Sequence, residues 1–319
     1  MSSHVKFGVR MHQHGYTFDE LKRVWTRADR LQYHSATLYD LLNAPALECW
    51  TALSGLATLT NQIRLTPLVL GNTYRPPALL AKMSSTLDVI SGGRLELGIG
   101  AGGGTGDHLA SGLPFPSTAE RVRMLEEAVE LIKKSWIEPS ATYQGQYYSL
   151  EQSTNEPKPL QHPHPPVLIG GHGERHLLRS VAGHADLCNI GFEMSLEEHR
   201  SKMEIVRSHC DDLGRDASEI GITHNTRVII AESEKEFEDL AVQGAASANI
   251  SLADYKKSLS GAISGTPEQC VHQLSKYVDA GIHYFFLLFP DPITNENLDL
   301  FASEVMPHFT KPKLAETVS

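Results

Sequence analysis

Residues 91–116 read SGGRLELGIGAGGGTGDHLASGLPFP. Arg94 to Ile99 has the alternation of a short strand, and Gly100, Gly102, Gly103, Gly104 and Gly106 follow it at once. Glycine allows positive φ and lets backbone approach a ligand closely. A glycine-rich turn at the carboxyl end of a strand is where α/β folds commonly hold a cofactor. On spacing alone, the run reads equally as a mobile surface loop. Residues 98–103 contain the letters G-x-G-x-x-G, but in a barrel turn rather than a Rossmann unit, so they carry little weight for NAD.

Outward from this stretch, strand and helix patterns alternate along the whole chain. Strands are expected over 5–10, 36–40, 63–70, 94–99, 167–170, 185–190, 220–231 and 284–289. Helices are expected over 18–31, 48–59, 77–90, 119–136, 175–182, 196–213, 234–242, 266–281 and 297–306. Thr17 and Glu20 have the spacing of a capping box, and Pro77 and Pro267 suit the first turn of a helix. Pro67 inside the third strand predicts a bulge, because proline cannot donate to a central ladder. Residues 141–150 look like a hairpin turning at Gly145, and the proline-rich 156–166 an extended connection. Eight βα units imply parallel strands joined by right-handed crossovers, hence an α/β fold of the (β/α)8 TIM-barrel type rather than an open sheet. A single domain over 1–319 is expected. Between residues 244 and 265 the periodicity weakens, which suggests a lid-like insertion over the barrel mouth.

Of 319 residues, 41% are hydrophobic and 21% charged, an ordinary globular balance. A net charge of −10 argues against a nucleic-acid partner. Cys49, Cys188, Cys210 and Cys270 are scattered, which suits reduced, buried thiols of a cytoplasmic protein. No apolar leader or membrane-length run is visible, so no membrane role is expected. Sixteen histidines are dispersed without an HExxH pattern, so no metal site is expected.

Three segments carry a resemblance: GNTYRPPALLAKMSSTLDVISGGRLELGIGAG (71–102), HLASGLPFP (108–116) and NEPKPLQHPHPPVLIGGHGERHLLRSVAGHAD (155–186). They closely resemble the bacterial-luciferase-like superfamily, and within it the deazaflavin (coenzyme F420)-dependent oxidoreductases. The resemblance extends from about Val5 to the last helix. It implies a (β/α)8 barrel, often dimeric, with a flavin or deazaflavin at the carboxyl face. By the same resemblance, Pro67, Leu68 and Val69 match a bulge that backs the isoalloxazine ring, with a non-prolyl cis peptide expected at Pro67–Leu68. Asn72 would meet the pyrimidine edge, or serve only in the turn. Gly100, Ala101 and Gly102 would pass near the cofactor's side chain. Gly170, Gly171, His172 and Gly173 match a phosphate loop, where free N–H groups opening a helix attract an anion; Arg175 and Arg179 would add charge.

Two departures stand out. Gly103, Gly104 and Thr105 occupy positions where relatives carry bulky residues, so part of a wall is emptied. Relatives also place a histidine after the aspartate at the second strand's end, whereas here Leu41 follows Asp40. With the cofactor carrying the hydride, the protein supplies placement and a proton donor. Candidates for the donor are Asp40, His108, His12 and His14; each histidine taken singly reads more readily as a helix-end or loop residue bonded to backbone. The expected function is an oxidoreductase moving a hydride between F420 and a small-molecule substrate. The alternatives are an FMN-dependent monooxygenase using reduced flavin and oxygen, with a separate flavin reductase, and a barrel that has lost cofactor binding. A deazaflavin reacts poorly with oxygen because carbon replaces the ring nitrogen that supports a peroxide.

Overall fold

In the computed structural model, which describes residues 4–171, 173 and 176–310, parallel strands alternate with helices as the pattern requires. The strands are β1 (Lys6–Arg10), β2 (Ser35–Leu38), β3 (Arg64–Pro67), β4 (Leu70–Gly71), β5 (Leu97–Gly100), β6 (Ala141–Gln144), β7 (Ser149–Ser153), β8 (Val167–Gly171), β9 (Leu187–Ile190), β10 (Gly221–Ile230), β11 (Ile263–Gly265) and β12 (Tyr284–Leu288). The helices are α1 (Phe18–Arg30), α2 (Cys49–Ala57), α3 (Pro77–Ser91), α4 (Thr105–Ala110), α5 (Thr118–Ile137), α6 (Leu177–His184), α7 (Leu196–Leu213), α8 (Glu234–Ala248), α9 (Leu252–Ser258), α10 (Pro267–Asp279), α11 (Asn295–Glu304) and α12 (Pro307–Thr310).

The sheet runs β3-β2-β1-β12-β10-β9-β8-β5-β4. Its two ends, β3 and β4, are halves of one interrupted stave, so this path of nine strands is a nearly closed barrel of eight staves. The seam is sealed by backbone: the Leu65 N–H donates to Arg94 O (2.9 Å) and the Glu96 N–H to Leu65 O (3.0 Å). β6 and β7 form the separate hairpin, closed where the Gly145 N–H donates to Tyr148 O (2.9 Å).

Local chemistry explains the boundaries. Thr17 and Glu20 form the capping box of α1, and Ser117 with Glu120 and Ser195 with Glu198 do the same for α5 and α7. α3 opens on Pro77 and stops at Gly92, whose φ of 69° only glycine adopts readily. Alternate strand residues then face opposite layers. Phe285 and Leu287 join the helices in the main core, whereas Tyr284 and Phe286 pack with Leu68 and Leu168 inside the barrel. All four cysteines are buried free thiols. Among the described residues no helix is long and apolar enough to cross a membrane.

The segment with weak sequence periodicity is helical up to Ser258 and ends in β11. α8 continues to Ala248 and α9 turns back on it, with Gly244 beneath Tyr255: a Cβ there would lie 2.2 Å from the ring. The pair buries Leu259 and Ala262 beside Ile229 in a small cluster of its own, which is why no long apolar stripe marks it. α4, inside the glycine-rich stretch, has no apolar stripe either and was not expected.

The barrel floor holds a buried carboxylate. Glu96, 2% exposed, accepts from Thr66 Oγ1 and Tyr284 OH (both 2.8 Å), and Arg64 Nε lies 2.8 Å from its other oxygen. Burial alone would raise its pKa, but His34, Arg64 and Tyr284 outweigh that and bring it from 4.5 down to about 2. A carboxyl depressed in the fold contributes stability above its unfolded pKa, and that contribution is lost as pH falls toward the folded value. Glu96→Gln therefore lowers the Tm near neutral pH, and the gap to wild type narrows as pH drops from about 4.5 toward 2. Thermal melts across that window check it; a pH-independent gap would contradict the assignment.

Candidate active site

The carboxyl ends of the staves surround a cavity of about 720 Å³. That volume lies within the range of roughly 300–1,000 Å³ found for small-molecule sites. One wall is the break in the third stave. Pro67 keeps its register with Leu38 as the last residue of β3, and the Leu68 N–H still donates to Leu38 O (2.9 Å). Only after Leu68 does the chain leave β2 and pair with β5, Leu70 opposite Ile99. The cis peptide accordingly joins Leu68 to Val69; the expected position, Pro67–Leu68, is one residue too early.

Glycines make room for this break. A Cβ on Gly98 would meet Pro67 O at 1.9 Å, and one on Gly170 would meet Val69 Cγ1 at 2.7 Å. On Gly100 it would lie 2.8 Å from Gly170 O and 3.0 Å from Val69 Cγ2. Leu68 and Val69 thus nest between β5 and β8, and both line the cavity together with Gly100, Ala101 and Gly102. Gly103 and Gly106 differ: nothing lies within 4 Å of an added Cβ. The emptied wall expected at Gly103 is open space.

The next wall is the end of β8. Gly171, Gly173, His176 and Leu177 line the cavity where α6 begins, and His176 caps α6 without a side-chain hydrogen bond. The expected phosphate-loop residue His172, and Arg175, lie outside the described residues. Arg179 is exposed on α6.

Across the mouth stands a polar wall. Asn225 Nδ2 donates to Asn189 Oδ1 (2.8 Å) and to Gly191 O (3.1 Å), and Asn189 Nδ2 donates to Asn225 Oδ1 (3.2 Å) and Thr223 Oγ1 (2.6 Å). Phe192 and Arg10 complete it.

The candidate proton donors separate. Asp40 is 8% exposed and lines the cavity, but both oxygens are taken. Arg75 Nη1 and Nη2 donate to Oδ2 and Oδ1 (2.7 and 2.8 Å), and the Gly71 N–H donates to Oδ2 (2.9 Å). Arg75 also reaches Glu48 Oε1 at 2.8 Å. Burial alone would lower the Arg75 pKa, yet the paired carboxylates raise it overall. His108 is fully buried and outside the cavity lining. Its Nδ1 lies 2.9 Å from Gly104 O, a pure acceptor, so Nδ1 carries the proton and Nε2 accepts from Thr73 Oγ1 at 2.7 Å. His12 and His14 stack at the rim with Nδ1 atoms 2.6 Å apart and His12 against Tyr39, outside the lining. Burial, then His14, lower the His12 pKa. Asn72 is buried beside Tyr148 (Nδ2 to OH, 3.4 Å), and it too stands outside the lining, as does Pro67.

Sequence reading missed Arg10, Arg75, Arg121, Asn189, Phe192 and Asn225. A charge ending the apolar strand KFGVR and an asparagine within THNTRVII were available signals, but neither shows which residue faces the mouth.

A (β/α)8 barrel with a glycine-walled cavity at its carboxyl face is built to bind a small molecule there. The chain belongs to the luciferase-like monooxygenase family, whose profile matches residues 1–284. It is 28% identical over 286 residues to the F420-dependent glucose-6-phosphate dehydrogenase of Kineococcus radiotolerans, covering 83% of each chain. Among solved structures it resembles the coenzyme F420-dependent tetrahydromethanopterin reductase of Methanopyrus kandleri (TM-score 0.77, 19% identity, 96% of this chain and 99% of that one). It also resembles the monooxygenase RslO1 of Streptomyces bottropensis (TM-score 0.80, 22% identity, 95% and 99%).

Proposed function

We propose that this protein is an oxidoreductase that moves a hydride between the deazaflavin F420 and a small organic substrate. The observation that carries the reading is the interrupted stave: Leu68 and Val69 are held by close-packed glycines in the wall of an open cavity. The F420-dependent dehydrogenase relative supports the choice of cofactor.

In this reading Leu68 and Val69 back the ring. Gly100, Ala101 and Gly102 flank the side chain, and Gly170, Gly171, His172 and Gly173 receive the phosphate. The bound deazaflavin supplies the hydride acceptor or donor. The chain binds, orients and excludes water. Asp40 and His108 act as positioning residues. Asp40 holds the 71–75 segment through Gly71 and Arg75, and His108 ties Gly104 to Thr73. Each is engaged by the fold at its polar atoms, Asp40 by Arg75 and Gly71 and His108 by Gly104 and Thr73, which supports a positioning role. A homodimer belongs to the same reading, with Leu79 and Ile90 of α3 exposed to meet a second copy.

The alternative is an FMN-dependent monooxygenase; the monooxygenase RslO1 shares the fold. Titrating purified protein with each cofactor, followed by fluorescence, separates the two. F420 is expected to bind at least about tenfold more tightly than FMN, a difference of about 1.4 kcal/mol. Tighter FMN binding reverses the assignment, and binding of neither favours a barrel that has lost its cofactor.

A further inference from the structure

Arginine is the side chain that nature buries beside carboxylates, and the barrel mouth shows this twice. Arg75 consumes both oxygens of Asp40. Arg227 Nε and Nη2 consume both oxygens of Glu193 at 2.5 and 2.8 Å. A third arginine at the mouth, Arg121, is satisfied by the carbonyls of Gly102 (3.0 Å) and Pro116 (2.5 Å).

Arg10 is the exception. It ends β1 and lines the cavity. Its Nε and Nη1 are buried without a hydrogen-bond partner, and no ion pair joins it to any carboxylate among the described residues. Its guanidinium instead lies 4.5 Å from the Phe192 ring centroid and 5.3 Å from that of Tyr39. Aromatic faces hold a cation in place but leave its charge unneutralised. Burial lowers the Arg10 pKa, and neighbouring Tyr39 and Glu193, whose oxygens Arg227 already holds, offset that only in part.

Topology says which ligand can answer. Around the eight staves, β1 is four steps from β8 in either direction, so Arg10 faces the α6 phosphate loop from the far side of the mouth. The interrupted stave is likewise opposite β10, which carries Asn225. A ring backed on Leu68 and Val69 would therefore have Asn225 across the mouth from it, with Arg10 and Phe192 lining the same cavity. We infer that Arg10 is the specificity residue for an anionic substrate, anchoring a carboxylate-type group beside Phe192 and Asn225. The inference rests on the proposed placement of the cofactor.

Benzoate and its neutral analogue benzamide probe it, with binding read on the full-length protein by calorimetry, with and without F420. Wild type is expected to prefer benzoate by about tenfold or more, the scale of a hydrogen bond to a charged group. Arg10→Met, which keeps the stem against Phe192, removes the preference while F420 affinity stays within about twofold, and Arg10→Lys retains part of it. An unchanged benzoate-to-benzamide ratio in Arg10→Met overturns the inference. So does a wild type without preference, or an Arg10→Met variant that loses F420 but keeps the ratio. Preference in wild type without any F420 binding sinks the cofactor reading and leaves the anion site standing.

Discussion

Replacing Arg75 by alanine is expected to destabilise the fold by about 3–5 kcal/mol, the usual cost of stripping one partner from a buried ion pair. Asp40, whose side chain is 1% exposed, would keep only the Gly71 N–H. Glu48 would lose the same guanidinium while still capping α2 through the Trp50 and Thr51 N–H groups at 3.0 and 2.7 Å. The damage should therefore concentrate on the 71–75 segment and the cavity wall it forms. Denaturant melts give the stability, and cofactor titration of the residual folded protein gives the effect on the site. Arg75→Lys should fall between, because a single ammonium cannot reproduce the two-pronged contact. If Arg75→Ala costs under about 1 kcal/mol, the pair is no better than an exposed salt bridge and the positioning role of Asp40 fails.

Gly98→Ala is expected to be comparably severe for a different reason. The added Cβ would stand 1.9 Å from Pro67 O, a backbone atom that no rotamer change can move. Overpacking in a core typically costs about 1–3 kcal/mol, and here relief requires shifting the interrupted stave itself. The variant should lose cofactor affinity along with stability. Gly103→Ala is the control: nothing lies within 4 Å of its added Cβ, so stability should change by no more than about 0.5 kcal/mol. Equal effects at the two glycines would show that the close approach of β5 to Pro67 does not matter.

The sequence by itself determined the barrel. Hydrophobic alternation, capping pairs such as Thr17 with Glu20 and breakers such as Gly92 are local signals, and each maps onto an element boundary. It also located the interrupted stave, because Pro67 cannot continue a ladder. Its guess at the cis bond fell one residue short, since the register of Pro67 with Leu38 depends on a neighbouring strand. The stretch over 244–265 was legible only as a loss of pattern, because α8 and α9 pack on each other through Gly244 and Tyr255.

The candidate site was legible in outline and not in function. Glycines 98, 100, 102, 103 and 170 look alike in the chain. Only the packed structure separates those pressed against Pro67, Thr73 or Val69 from Gly103, which faces open space. Asp40 and His108 read as proton donors because a free carboxylate and a paired one are spelled identically. Arg75 and Thr73, 35 residues away from each in sequence, are brought by the fold against their polar atoms. The same holds in reverse for Arg10, whose unpaired charge becomes visible only once Asp40 and Glu193 are seen to be taken. Backbone periodicity is a local property and survives in one dimension. Whether a polar atom is satisfied depends on residues that only folding brings within 3 Å, and that was decided by the tertiary structure alone.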